Sequence, residues 1–272
     1  MPTIELDASP HAPGIHPVKI HYREYGNGEP LLFLHSGWGY GVYPFDRQTE
    51  AFEKQYHIVI PDRTGYGHST RVTEEMPLDF HRRAAMETAA VMQRLGIQKA
   101  ILWGHSDGAA IAAILGLRYP EQCQCLILEA THFLKRKPGS RAFFERFAAR
   151  PEELDGGVRS TLAEDHGEEQ WKNVVQRNCE VWIRIAGCAA RPEEDLYEGR
   201  LSELSLPTLF VHGRFDPRTE PGEMDLVREA VPRAAFRLIE NGRHSPHSEE
   251  AAFKKCSEVV QEFLTRLRYS TR

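Results

Sequence analysis

Short runs that are apolar on both faces recur along the chain and are separated by segments with helical spacing. Leu31–Leu34, His57–Ile60, Ala100–Trp103, Cys125–Leu128 and Thr208–Val211 are such runs. Each ends in a turn-forming or polar cluster, as strands buried inside a parallel sheet do. Val18–Tyr25 alternates in character and ends at Gly26-Asn27-Gly28, which predicts a further strand and a turn. Ala235–Ile239 predicts another. Between the strands, Leu78–Leu95 is an amphipathic stretch closed by Gly96, and Asp107–Tyr119 is a small-residue stretch stopped by Pro120. Glu249–Leu267 has helical spacing and basic residues in its last turns, with His247 expected to start that helix. Strand alternating with helix predicts an α/β fold: a mostly parallel central sheet flanked by helices.

The rhythm breaks between Thr131 and Arg200. That stretch is rich in charge, and Trp171, Val174, Val175, Cys179, Trp182 and Ile185 recur as the buried face of a helix would. The expected organisation is one core domain, residues 1–130 and 201–272, carrying a helical cap insertion over 131–200. Phe133, Phe143, Phe144 and Phe147 belong to the insertion and are expected to pack it onto the body. Lys135-Arg136-Lys137 is expected to be a solvated face.

Composition narrows the function classes. The chain has 272 residues, 41% hydrophobic and 27% charged, with net charge −5. It has no basic stripe, which argues against nucleic acid. It has no membrane-length apolar run and no signal-like N-terminus, so the cytoplasm is the expected location. Its five cysteines fit no disulfide framework. Buried thiols are expected, with Cys123 and Cys125 on one face of a strand. His244-x-x-His247 lacks a third ligand at convincing spacing, so no metal and no cofactor are expected. Oligomeric state is not readable.

Gly104-His105-Ser106-Asp107-Gly108 is a G-x-S-x-G motif. Its context gives it weight, because an apolar strand precedes it and a small-residue helix follows directly. A sharp strand-to-helix turn exposes the serine hydroxyl, and the helix N-terminus points free N–H groups at the site. A serine hydroxyl needs a base, and in such folds the partners follow downstream as acid, then histidine. Asp216 stands just past the Thr208–Val211 strand, where open α/β sheets place their sites, and His244 lies in a loop before the last helix. Ser106, Asp216 and His244 are therefore the candidate catalytic residues, with His247 as the competing base.

The loop His35-Ser36-Gly37-Trp38-Gly39-Tyr40-Gly41 lets backbone approach a substrate oxygen. The oxyanion hole is expected from the N–H of Asp107 and that of Gly37 or Trp38. Trp38 and Asp107 are the candidate substrate contacts. The Asp107 carboxylate has two readings: it pairs with a substrate amine, or it caps the helix that follows.

Together these pieces resemble the α/β-hydrolase family over nearly the whole chain. Asp62-Arg63-Thr64-Gly65-Tyr66-Gly67-His68-Ser69 looks like that family's D-x-x-G-x-G-x-S loop. His35-Ser36-Gly37 departs from its usual His-Gly. Ser-Asp-Gly at the nucleophile and the aromatic insertion look most like the valacyclovir-hydrolase or biphenyl-hydrolase-like branch. The resemblance implies a serine hydrolase acting on a small or medium carboxylic ester. The same three residues could serve a perhydrolase or haloperoxidase, a carbon–carbon bond hydrolase or a thioesterase, or the fold could hold a ligand without turnover.

Overall fold

The computed structural model describes residues 2–270. Its centre is one eight-stranded sheet. In chain order the strands are β1 (Thr3–Leu6), β2 (Val18–Tyr25), β3 (Glu29–Leu34), β4 (Tyr56–Pro61), β5 (Ala100–His105), β6 (Cys123–Glu129), β7 (Thr208–Gly213) and β8 (Ala235–Ile239). Their spatial order is β1-β2-β4-β3-β5-β6-β7-β8, with the β1–β2 and β2–β4 pairings antiparallel and the rest parallel. The chain winds outward from β3 to β4, then returns to β5 and winds the other way. The crevice for a ligand in such a sheet lies at that reversal, beyond the carboxyl ends of β3 and β5.

Helices cover both faces. One core layer joins Leu32, Leu102 and Leu126 to the helices α2 (Phe80–Arg94) and α3 (Asp107–Arg118). The other joins Phe33, Trp103 and Ile127 to α1 (Asp46–Phe52) and α8 (Phe253–Ser270). Alternate residues of β5 and β6 enter opposite layers, which explains why these strands read as continuous apolar runs. The expected shared face of Cys123 and Cys125 is not observed. The register of β6 against β5 slips between Ala100 and Ile101, so Cys123 packs in the first layer and Cys125 in the second.

Between β6 and β7 lie α4 (Arg141–Ala149), α5 (Gly156–His166) and α6 (Trp171–Cys188). Asp155 caps α5 by accepting from the N–H of Gly157 at 2.8 Å. Phe144, Phe147, Trp171 and Trp182 of these helices pack on Trp38, Tyr66 and Phe80 of the body. Burial of each such aromatic contributes roughly 1.5–3 kcal/mol. α7 (Glu223–Ala230) precedes β8.

Two expectations at the edges of this region need correction. Lys137 is not part of a solvated face. It is buried against the carboxylate of Glu223, which is also fully buried and accepts from the backbone N–H groups of Phe133 and Leu134. The last helix begins at Phe253, and His247 does not start it. His247 sits fully buried in the preceding turns, with Nδ1 2.8 Å from Glu129 and Nε2 3.1 Å from the carbonyl of Tyr43.

Candidate active site

Ser106 occupies the turn between β5 and α3 with φ 55° and ψ −120°, a left-handed backbone that an L-residue adopts only under constraint. The flanking glycines make this turn possible. A Cβ at Gly104 would run into the carbonyl of Gly108, and one at Gly108 into the carbonyl of Leu34. The Ser106 N–H is held by the carbonyl of Glu129 at 2.9 Å. The hydroxyl is thereby lifted to the carboxyl end of the sheet, at the N-terminus of α3.

Asp216 and His244 meet it there. His244 Nε2 lies 3.1 Å from Ser106 Oγ, and its Nδ1 lies 2.9 and 3.0 Å from the two carboxylate oxygens of Asp216. Burial pushes the Asp216 pKa up, but the nearby His244 and His212 rings and the backbone N–H of Arg218 outweigh it and bring it down to about 2. The carboxylate is thus ionised and fixes Nδ1–H on His244, leaving Nε2 to accept from the serine hydroxyl.

His132 was not foreseen. It follows β6 by three residues and is buried, with Nε2 3.2 Å from Ser106 Oγ and its ring stacked 5.8 Å from His244. Burial, reinforced by Lys137 and the neighbouring histidines, holds its pKa well below the ordinary histidine value. A neutral imidazole there has one N–H. With Nε2 of His244 placed to accept from the serine hydroxyl, a His132 N–H on Nε2 is placed to donate to Oγ. The signal available in the sequence was its place just past a strand's carboxyl end.

Asp107 fills neither role expected of its side chain. Its carboxylate accepts from His81 Nε2 at 3.0 Å, Asn178 Nδ2 at 2.8 Å and Trp182 Nε1 at 3.1 Å, and it is buried. Burial raises its pKa, but the His81 hydrogen bond and charge, with Arg63 and Asn178, hold it below the usual carboxylate range. It therefore ties the turn at Ser106 to α6, and its three donors leave the carboxylate little to offer a substrate amine. An amino-acid ester and its des-amino analogue are accordingly expected to show kcat/KM values within about threefold of each other, since a free charge-assisted pair would separate them by tenfold or more. A larger preference for the amine in steady-state assays would refute this.

The loop after β3 closes the other side. Ser36 Oγ accepts from the N–H of Trp38 at 3.4 Å and donates to the carbonyl of Gly39 at 3.3 Å. The serine in place of the family's usual glycine thus braces the loop. Gly37 is pressed against the side chains of Asn178 and Asp107, with no room for a Cβ. Gly37 and Trp38 line a cavity of about 50 Å³ together with Ser106, His132, His244 and Arg218. Phe144 and Trp182, stacked 5.8 Å apart, separate it from a second cavity of about 710 Å³.

A family model described as the alpha/beta hydrolase fold matches residues 29–179, more than half of the chain. The chain belongs to the α/β-hydrolase fold family. Among its curated relatives is Serine hydrolase BPHL of Mus musculus, 26% identical over 250 residues, covering 91% of this chain and 83% of that protein. Another is the (E)-2-((N-methylformamido)methylene)succinate hydrolase of Acinetobacter baylyi, 26% identical over 257 residues, covering 90% and 93%. A thermophilic esterase from Thermogutta terrifontis has the same fold, with TM-score 0.72 and 20% identity over 98% of this chain and 99% of that one. The first relative meets the resemblance read from Ser106-Asp107-Gly108 and the aromatic insertion.

Proposed function

We propose that this α/β hydrolase is a serine esterase that cleaves a small carboxylic ester through an acyl-enzyme on Ser106. The observation that carries the reading is the unbroken hydrogen-bonded series Asp216–His244–Ser106 on a strained turn.

Ser106 Oγ attacks the ester carbonyl as its proton passes to His244 Nε2. The oxyanion is held by the N–H of Asp107 and by one from Gly37–Trp38, with the α3 N-terminus behind them. Asp216 stabilises the imidazolium, which then protonates the leaving alkoxide. Water activated by His244 attacks the acyl carbonyl, and Ser106 regains its proton. Residues 131–200 act as a cap, since Phe143, Phe144, Asn178 and Trp182 form part of the cavity wall. Water is thereby restricted around the reacting atoms.

His132 contributes a neutral hydrogen bond to Oγ as negative charge develops there. His132→Phe is expected to lower kcat/KM by about tenfold, the worth of one such bond. The acid limb of the pH–rate profile should stay in place, because His244 and not His132 accepts the proton. A limb displaced in the variant would give His132 a different role.

A fluorophosphonate probe tests the whole reading. Mass spectrometry should find the adduct on Ser106, and wild-type protein left unlabelled would overturn the esterase assignment.

A further inference from the structure

Arg218 lies two residues beyond Asp216, and its side chain lines the same cavity as Ser106 and His244. Its backbone is anchored on both sides. The N–H donates to Asp216 Oδ1 at 2.8 Å, and the carbonyl accepts from Lys137 Nζ at 3.3 Å. Lys137 is itself fixed by the buried carboxylate of Glu223. The guanidinium sits over the Phe143 ring, its Cζ 3.3 Å from the ring centroid, and Phe143 stacks on Trp38 at 5.4 Å. The backbone and one side of the group therefore have partners, and its N–H groups do not.

No carboxylate lies within ion-pair distance of Arg218 among the described residues. Its guanidinium makes no hydrogen bond to the protein among the described residues, and the half-buried residue forms part of the cavity wall. The neighbouring charges are already matched. Asp216 is engaged by His244 and His212, Asp107 by His81, Asn178 and Trp182, and Lys137 by Glu223. Burial lowers the Arg218 pKa, with Tyr43 and Asp216 opposing. A guanidinium nonetheless keeps its charge in a protein. A half-buried cation without a counterion gains its missing partner when an anion enters the cavity.

We propose that Arg218 is a specificity residue that grips a carboxylate of the substrate, so that the preferred substrate is a short ester bearing a carboxylate a few bonds from the scissile carbonyl. This deepens the acyl-enzyme reading of Ser106 and rests on it. A planar guanidinium binds a carboxylate through two parallel N–H···O bonds, and the contact with Phe143 helps hold the group at the cavity wall. The cavity of about 50 Å³ favours compact compounds, such as the monoester of a four- or five-carbon dicarboxylic acid. Longer acyl chains have to pass the Phe144–Trp182 wall toward the larger cavity.

The test compares monomethyl succinate with methyl levulinate, a neutral ester of the same length. Wild type should favour the anionic ester in kcat/KM by about tenfold or more, mostly through KM, in line with a charge-assisted hydrogen bond. Arg218→Gln should bring the ratio toward one, and Arg218→Lys should restore part of it. A wild-type ratio near one, or a ratio unchanged in Arg218→Gln, overturns the proposal. Calorimetric titration of succinate into Ser106→Ala protein, with and without Arg218→Gln, reads the anion site without any chemistry. Binding lost with Arg218→Gln supports it, and no binding to Ser106→Ala overturns it. If fluorophosphonate fails to label wild type and neither ester is cleaved, the esterase reading falls separately, and the calorimetry still decides Arg218.

Discussion

Ser106→Ala is expected to lower kcat/KM for a small ester by about 10⁴- to 10⁶-fold, the scale seen when a nucleophile of this kind is removed. The reason is local. Asp216 and His244 have no other hydroxyl to deprotonate at 3.1 Å, and the remaining donors of the site can only stabilise attack by a poorly placed water. Adding His244→Ala to Ser106→Ala should cost little more, because the two residues act as one unit and their losses do not add. Ser106→Ala alone should keep the wild-type urea midpoint, since the backbone turn is unchanged, whereas the double variant should unfold at lower urea because the buried Asp216 carboxylate loses its imidazole partner. A Ser106→Ala protein retaining a tenth of wild-type activity would remove the acyl-enzyme from consideration. A full loss in His244→Ala alone would then point to His244 activating water directly.

The second large effect concerns stability. Glu129, at the end of β6, is fully buried. Its carboxylate accepts from Trp103 Nε1 at 2.9 Å, from the N–H of His247 at 2.9 Å and from His247 Nδ1 at 2.8 Å. Removing this acceptor takes the carboxylate away from an indole N–H, a backbone N–H and the Nδ1 of a buried imidazole. Glu129→Ala is expected to destabilise the fold by about 3–5 kcal/mol, as for a broken buried pair. Urea unfolding should show a lower midpoint with an unchanged slope. Burial pushes the Glu129 pKa up, but His247 and His105 outweigh it and bring it down to about 2. A depressed carboxylate stabilises the fold above its unfolded pKa, about 4.3, and loses that contribution as pH falls toward 2. The gap between wild type and Glu129→Gln should therefore be full at pH 7 and narrowed at pH 3. An equal gap at both would mean that the ionised carboxylate is not what Glu129 supplies.

The strands of the parallel sheet were legible because burial on both faces leaves no room for polar positions, and Leu31–Leu34, Ala100–Trp103 and Thr208–Val211 announce themselves. β1 is four residues long with a mostly exposed face, too short for a pattern. The start of α8 was misread because Glu249 looks like a first-turn residue. Its carboxylate instead accepts from the N–H groups of Arg243 and Ser245 and shapes the loop that carries His244. The positions of Ser106, Asp216 and His244 followed from strand ends and chain order. The fate of Asp107 could not, because its partners His81, Asn178 and Trp182 come from 26 to 75 positions away. Arg218 stands two residues past Asp216, yet nothing local in the sequence says that its charge lacks a partner.

The carboxylate of Asp107 also bears on how this scaffold can be altered. The residue next to Ser106 belongs to the body, while two of its three donors, Asn178 and Trp182, belong to α6. Grafting a foreign segment over 131–200 to change selectivity would orphan a charged group one residue from the nucleophile. A working chimera has to carry the amide and the indole with the graft, or exchange Asp107 at the same time, so these positions are inherited as a set.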